Sequence, residues 1–173
     1  MLFRSSAAIK KGALSHDAYS EMIATTTSLN RIGADLALDP SVHAMTDVTG
    51  FGLLGHALEM ARGSKLQLVI RADQVPLLND AKMLVQQGVM TGASKRNWES
   101  YGHAVVLPDS MPEWRRHLLT DPQTSGGLLI ACSGDQAARL MTIIRDAGHE
   151  AACVIGYATD RSEERRVGKE CRL

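Results

Sequence analysis

The spacing of apolar residues predicts helices over most of the first 40 residues. Residues 5–14 carry apolar and basic side chains at helical spacing, and a longer amphipathic helix is predicted over 17–38. Pro40 ends this pattern, because the residue before a proline disfavours helical geometry. Further along the chain, short segments of strand-like composition predict strands at Val42–Asp47, Leu66–Ala72, Leu128–Cys132 and Ala151–Tyr157. Amphipathic spacing predicts helices over 51–62, 77–87, 112–119 and 134–147.

The order of these elements indicates an α+β fold built from packed layers. Strands alternate with helices after residue 40, so we expect a mixed sheet of about four or more strands with helices packed against it. The segment 88–104 is rich in glycine and polar residues, and we expect a long irregular loop there. Loops of that length usually have a functional role or are mobile.

The composition excludes several classes of function. The chain has 19 Lys and Arg residues and 19 Asp and Glu residues, so a basic nucleic-acid module is not expected. Aromatic residues make up only 4%, too few for base-stacking platforms. The apolar runs fall well short of the roughly 20 residues of a membrane helix. The three cysteines lack Cys-x-x-Cys spacing, which favours buried thiols in a reducing cytoplasm over a disulfide framework.

The end of the chain differs in character from the rest. Residues 161–173 are dense in Arg, Lys and Glu, and their few apolar residues show no regular period. Such a segment buries too little apolar surface to fold, so we expect disorder. One interpretation is a solvated interaction tail. We favour another, in which the segment is the in-frame translation of a common sequencing-adapter oligonucleotide. The domain is accordingly assigned to residues 1–160, followed by a non-native tail.

The first of two glycine-containing turns has the chemistry of a phosphate site. It lies in Met45-Thr-Asp-Val-Thr-Gly-Phe-Gly-Leu-Leu-Gly-His56, where Asp47 ends a predicted strand and a helix follows. Free backbone N–H groups at the start of a helix favour the binding of anions. The candidates to face a bound phosphate are Thr46, Thr49 and Gly50. Asp47 would repel phosphate unless a divalent cation lies between them, which makes it a candidate Mg²⁺ ligand. The alternative is an aspartate that only caps the helix.

The second turn is Leu119-Thr-Asp-Pro-Gln-Thr-Ser-Gly-Gly-Leu-Leu129. Thr124 and Ser125 carry hydroxyl groups, and Gly126 and Gly127 permit close approach of the backbone. These features are typical of a concave anion-binding nest. They are equally typical of a plain loop that enters a buried strand, and the sequence does not separate the two.

A further polar segment forms the last part of the region predicted to be a loop. It runs Lys95-Arg-Asn-Trp-Glu-Ser-Tyr-Gly-His103. Lys95, Arg96, Asn97 and His103 are candidates for the lining of a cleft. The alternative for each is a solvated surface position. No spacing of His, Cys and Asp in the chain matches a zinc site.

Taken together, these three segments resemble the signatures of the selenophosphate synthetase (selenide, water dikinase) family. They occur in that family's order, and the resemblance covers residues 1–158. The strand–Thr-Gly–helix device is shared with the wider aminoimidazole ribonucleotide synthetase superfamily, whereas Asp-Pro-Gln-Thr-Ser-Gly-Gly points to selenophosphate synthetase within it. The resemblance implies the α+β layered C-terminal domain of that superfamily. It also implies a cytoplasmic homodimeric enzyme that uses Mg²⁺ and turns ATP, selenide and water into selenophosphate, AMP and phosphate.

The resemblance further implies that this chain corresponds only to the second half of such an enzyme. The family's first half holds a Gly-rich segment with a reactive Cys or selenocysteine, a Lys, further metal-binding aspartates and most of the ATP site. Of the residues here, Asp47 matches a metal-binding aspartate of the family. No catalytic residue is expected in this chain, which would be nearly inactive alone. Two alternatives stay open: a non-catalytic stand-alone or partner-binding domain, and another enzyme of the superfamily, such as a thiamine phosphate kinase relative.

Overall fold

A computed structural model describes residues 2–10, 12, 14–160 and 170–172, and confirms the α+β class. The α-helices are α1 (Leu2–Lys10), α2 (His16–Thr27), α3 (Ile32–Leu36), α4 (Gly52–Ser64), α5 (Ala81–Gln86), α6 (Gly92–Tyr101), α7 (Glu113–Leu119) and α8 (Ala137–Asp146). The strands are β1 (Val42–Asp47), β2 (Gln67–Arg71), β3 (Leu128–Cys132), β4 (Gly156–Thr159) and β5 (Glu170–Arg172). Short 3-10 helices follow α6, at Gly102–Ala104, and precede α8, at Gly134–Gln136.

The strands of the described residues form two separate antiparallel sheets, where the sequence predicted one mixed sheet. β1 pairs with β3, so that Val42 lies opposite Cys132 and Asp47 lies opposite Leu128. In the other sheet β2 lies between β4 and β5. Apolar patterning indicates that a segment is a strand but says little about its partner, because pairing depends on contacts far apart in the chain.

Helix α4 provides the apolar surface around which the main core forms. Leu54, Ala57, Leu58 and Ala61 recur at helical spacing and are buried. The core they share with β2, the end of α6 and the end of α7 also contains Leu68, Ile70, Tyr101, Val105 and Leu119. Helix α4 begins directly after the turn that follows β1, so this packing fixes the direction in which the turn leaves the strand.

The helix predicted over 17–38 is interrupted. Helix α2 ends at Thr27, and α3 begins at Ile32. The hydroxyls of Thr25, Thr26 and Thr27 each donate to a carbonyl one turn earlier, at 2.8–2.9 Å. Runs of such β-branched residues are poor helix formers. Three apolar residues of the predicted amphipathic helix are exposed: Ile23, Leu29 and Leu38.

The long loop predicted over 88–104 was also wrong, because most of it is helix α6. The Thr91 hydroxyl caps this helix by accepting a hydrogen bond from the N–H of Ser94 at 3.2 Å. Tyr101 and Ser94 are buried, while the polar residues between them face outward or contact neighbouring loops. The segment resembled a loop because few of its residues are apolar.

The last predicted strand lies further along the chain than expected. Residues 151–155 are irregular, and β4 begins at Gly156. There the backbone approaches Val69 so closely that a Cβ atom on residue 156 would overlap its carbonyl oxygen. Cys132 is half-buried and Cys153 is exposed, so the prediction of buried thiols was wrong for Cys153.

The predicted disordered tail lies mostly outside the described residues. Glu170–Arg172 are described as β5, which pairs with Val69–Arg71 of β2. The prediction of disorder does not hold for these three residues, since their backbone pairing needs no apolar side chains. Within the described part of the chain, no helix combines the length and the apolar composition needed to span a bilayer.

Candidate functional site

The three segments singled out in the sequence meet in one place, which we call the three-motif junction (residues 45–56, 95–103 and 119–129). The first and third are joined through their backbones. The N–H of Val48 donates to the carbonyl of Gly127 at 3.0 Å, and the N–H of Gln123 donates to the carbonyl of Thr49 at 2.9 Å. The contact between β1 and β3 therefore continues beyond Asp47 into the turn.

Two glycines make this approach of the backbones sterically feasible. Gly126 lies against the carbonyl of Val48, with no room for a Cβ atom. Gly52 has a φ of +69°, and a Cβ atom on it would lie 2.8 Å from the carbonyl oxygen of Thr120. The turn after β1 and the loop before β3 thus fit together without intervening side chains.

Helix α6 carries most of the segment 95–103 and contacts both of the other segments. The side-chain amide of Asn97 donates to the carbonyl of Gly50 at 2.9 Å and to the carbonyl of Thr120 at 3.0 Å. The hydroxyl of Tyr101 donates to the carbonyl of Phe51 at 2.6 Å. Burial raises the pKa of Tyr101 well above its usual value, so the hydroxyl keeps its proton.

Asp47 lies at the open edge of the junction. It is the last residue of β1 and its side chain is exposed. Its carboxylate has no hydrogen bond or ion pair with another side chain in the described ranges, and Thr46 donates only to the backbone carbonyl of Asp47, at 3.2 Å. A free, exposed carboxylate is the kind of oxygen ligand that Mg²⁺ accepts.

Asp47 does not form a complete metal site with its neighbours. Among residues 2–10, 12, 14–160 and 170–172 there is no group of three or more His, Cys, Asp or Glu side chains able to hold a metal ion. Mg²⁺ binds a single protein carboxylate weakly, because it gives up its water ligands reluctantly. The residues present therefore fit one ligand of a shared site.

The hydroxyl of Thr49 has a partner within the domain. It lies 3.1 Å from Nε2 of His56, whose side chain is buried in the first turns of α4. Nδ1 of the same ring lies 3.2 Å from Oε2 of Glu59. The hydrogen bond between Thr49 and His56 links the turn after Asp47 to the body of α4.

The remaining candidates are placed at the surface. Thr124 and Gly127 are exposed, and Ser125 is half-buried. Arg96 is exposed on α6. Nζ of the neighbouring Lys95 lies 3.8 Å from Oε1 of Glu99. His103 is exposed in the 3-10 helix after α6. The structure thus brings Asn97, Gly50 and Gly126 into the junction and leaves the side chains of Arg96 and His103 in solvent.

Several contacts of the junction involve residues that sequence reasoning missed. Asn30 donates to the carbonyl of Gly126 at 2.9 Å. Thr91 donates to Oδ1 of Asp121 at 2.7 Å, and Asp121 is fully buried. Tyr101 was read only as part of a polar loop. Its spacing of four residues from Asn97 was the available signal, because residues four apart on a helix share a face.

The comparisons with known proteins agree on one family. The family model described as "AIR synthase related protein, C-terminal domain" matches residues 6–169. The chain is 58% identical over 162 residues to a protein of Rhizobium meliloti (strain 1021) named "Selenide, water dikinase", covering 94% of the chain and 46% of that protein. Proteins of the same name from Burkholderia pseudomallei (strain K96243) and Pseudomonas straminea are 54% and 50% identical, covering 90% and 87% of the chain.

The matches cover only part of each related protein. The Burkholderia and Pseudomonas proteins are covered over only 44% and 42% of their length. The chain therefore spans a little under half the length of the curated relatives that it matches.

Proposed function

Because the chain belongs to the family of the AIR synthase related protein C-terminal domain, we propose that it acts as the C-terminal domain of a selenophosphate synthetase. The complete enzyme would convert ATP, selenide and water into selenophosphate, AMP and phosphate. Two findings support the proposal. Relatives covering about 90% of the chain carry the name of this activity, and three separate motifs of the chain meet at the turn that directly follows the exposed Asp47.

The observation that carries the proposal is the position of Asp47. Its carboxylate is exposed at the end of a strand, directly before a turn whose backbone is held by two other segments. We propose that Asp47 is one ligand of Mg²⁺ bound to ATP, and that the remaining ligands come from the part of the enzyme outside this chain. Mg²⁺, when bound, neutralises negative charge that develops on the phosphate oxygens as the triphosphate is cleaved.

The residues of this chain would then bind and orient rather than transfer a group. Asp47 would hold its carboxylate toward the triphosphate. Thr46, Thr124 and Ser125 would offer hydroxyl groups at the same edge, and the backbone of Gly50 and Gly127 would permit close approach of the substrate. No side chain of this domain is assigned the role of nucleophile or general base, so the domain alone would show little or no turnover.

The proposal extends to the compartment, the oligomeric state and the ligands of the complete enzyme. We propose that the complete enzyme is a cytoplasmic homodimer whose partners are ATP and selenide, with neither nucleic acid nor membrane as a ligand. The equal numbers of acidic and basic residues agree with the absence of a nucleic-acid surface.

The test is the substitution Asp47→Asn in a complete enzyme that carries this domain. The amide keeps the size of the side chain but removes the charge that Mg²⁺ binding requires. Selenide-dependent formation of AMP and selenophosphate should fall by about 100-fold or more, the cost typical of losing one element of charge stabilisation. The matched control is Asp146→Asn, which removes an exposed carboxylate at the end of α8.

The outcomes separate the alternatives. Loss of activity in Asp47→Asn, with full activity in Asp146→Asn, supports the assignment of the metal ligand. Near-normal turnover in Asp47→Asn contradicts it. AMP formation that does not depend on selenide would contradict the selenophosphate reaction and favour another enzyme of the superfamily.

A further inference from the structure

Helix α6 contacts the turn after Asp47 through two side chains on one face. Asn97 and Tyr101 are four residues apart, so both point to the same side of the helix. Asn97 donates to the carbonyl of Gly50 at 2.9 Å, and Tyr101 donates to the carbonyl of Phe51 at 2.6 Å. Two consecutive carbonyls of the turn are therefore held by one helix.

From this juxtaposition we infer that Asn97 and Tyr101 are positioning residues for the Asp47 carboxylate and set the affinity of its metal site. The inference rests on the proposed role of Asp47 as a Mg²⁺ ligand. Gly50 and Phe51 follow Asp47 by three and four residues, within the turn that connects β1 to α4. Groups that orient a metal ligand commonly change metal affinity by 10–100-fold when removed.

The surrounding contacts show that both side chains are built into the site. Asn97 also donates to the carbonyl of Thr120 at 3.0 Å, so it ties the turn after β1 to the loop before β3. The ring of Tyr101 packs against Gly55, where a Cβ atom would lie 3.0 Å from its Cε1 atom. Tyr101 is buried and Asn97 is half-buried, which limits the movement of both donors.

The chemistry of these donors suits a position near a metal ligand. An amide and a phenol carry no charge at neutral pH, so they fix the backbone without attracting the carboxylate or repelling a cation. A lysine or arginine in their place would add a positive charge to the junction, which disfavours the binding of a cation. We therefore expect the loss of either donor to affect the geometry of the turn while the charge at the site stays the same.

The test uses Tyr101→Phe and Asn97→Ala in the complete enzyme, with Mn²⁺ alone as the probe, followed by electron paramagnetic resonance. Asp47→Asn first identifies which Mn²⁺ site depends on Asp47. Tyr101→Phe, which removes one oxygen atom, should weaken that same site by about ten-fold. Asn97→Ala should weaken it by at least as much, because it removes two hydrogen bonds. The matched control is Ser100→Ala, which removes an exposed hydroxyl from the same helix.

A second readout separates positioning from general stability. The Mg²⁺ concentration for half-maximal selenide-dependent AMP formation should rise about ten-fold in Tyr101→Phe. Thermal melting identifies variants that are simply unfolded. A folded Tyr101→Phe enzyme with unchanged Mn²⁺ affinity and Mg²⁺ dependence would overturn the inference. If Asp47→Asn itself changes neither Mn²⁺ binding nor activity, the proposed function fails instead.

Discussion

Gly126 lies directly against the carbonyl oxygen of Val48, so that a Cβ atom on residue 126 would overlap this oxygen. This contact brings the loop before β3 onto the turn after β1. The N–H of Val48 also donates to the carbonyl of Gly127, so the contact and the hydrogen bond belong to the same crossing of two backbones. The Gly-Gly pair in the third motif is thus explained, at Gly126, by space rather than by a requirement for unusual dihedral angles.

We predict that Gly126→Ala destabilises the domain while Gly127→Ala does not. The added methyl group at residue 126 meets a backbone carbonyl, which cannot rotate away as a side chain can. Overpacking of this kind costs about 1–3 kcal/mol. A Cβ atom on Gly127 meets nothing within 4 Å. Urea unfolding of the 173-residue chain, followed by circular dichroism, measures both variants. Equal stability of the two would show that the two backbones are not in contact in solution.

The segments that form the candidate site could be predicted from the sequence, but their arrangement in space could not. The strands Val42–Asp47 and Leu128–Cys132 were predicted with the bounds that the structure gives. Leu128–Cys132 is a continuous apolar run, which is a strong local signal. Val42–Asp47 mixes apolar and polar residues, and Pro40 before it and the Thr-Gly turn after it mark its limits. That these two strands pair with each other, and so bring Asp47 beside Gly127, depends on contacts between residues about 80–90 positions apart in the chain.

Helix α6 shows why the remainder could not be predicted. Lys95, Arg96 and Glu99 face solvent, and the polar side chain of Asn97 forms hydrogen bonds to other segments. The face of the helix that contacts the rest of the domain is therefore only partly apolar. The apolar pattern was therefore too weak to indicate a helix. The residues that hold the turn after Asp47 lie on this missed element, which is why Tyr101 was not among the candidates. The family resemblance identified the motif at residues 95–103, but only the fold shows which of these residues contact the turn after Asp47.

A second prediction concerns the cap of α6. The hydroxyl of Thr91 accepts from the N–H of Ser94 at 3.2 Å and donates to Asp121 at 2.7 Å. Thr91→Ala removes the cap and takes one donor from a fully buried carboxyl group. These losses cost about 1 kcal/mol and about 1–3 kcal/mol respectively. Thr91→Ser, which keeps the hydroxyl, should recover most of the stability.

Ser15 offers a matched comparison for this cap. Its hydroxyl accepts from the N–H of Ala18 at 3.2 Å and donates to Asp80 at 2.8 Å, the same arrangement in an exposed setting. Ser15→Ala should therefore cost only about 0.5–1 kcal/mol, since water replaces the lost hydrogen bond. Chemical denaturation of both variants measures the difference. Equal losses would indicate that burial of Asp121 does not raise the cost at Thr91.

A third prediction concerns the loop before β1, where hydrogen bonds lower the pKa of Asp39 to about 2. The largest cause is the hydroxyl of Ser41, which donates to Oδ1 at 2.6 Å, followed by the Ser41 N–H and by Arg139 of α8. Because the folded pKa lies below the usual value of 3.8, the ionised carboxylate stabilises the fold at neutral pH. That stability is present above about pH 4 and is lost as the pH falls through about 2.

Asp39→Asn should therefore lower the melting temperature at pH 6 and leave a flatter acid dependence. The difference in melting temperature from the unsubstituted chain should shrink between pH 4 and pH 2, because protonation removes the same interactions in the unsubstituted chain. Asp146→Asn is the control, since the Asp146 side chain has no hydrogen-bond partner among the described residues. Melting curves at half-unit pH steps measure the effect. A constant difference across that range would mean that the link from Asp39 to Ser41 and Arg139 does not depend on the carboxylate charge.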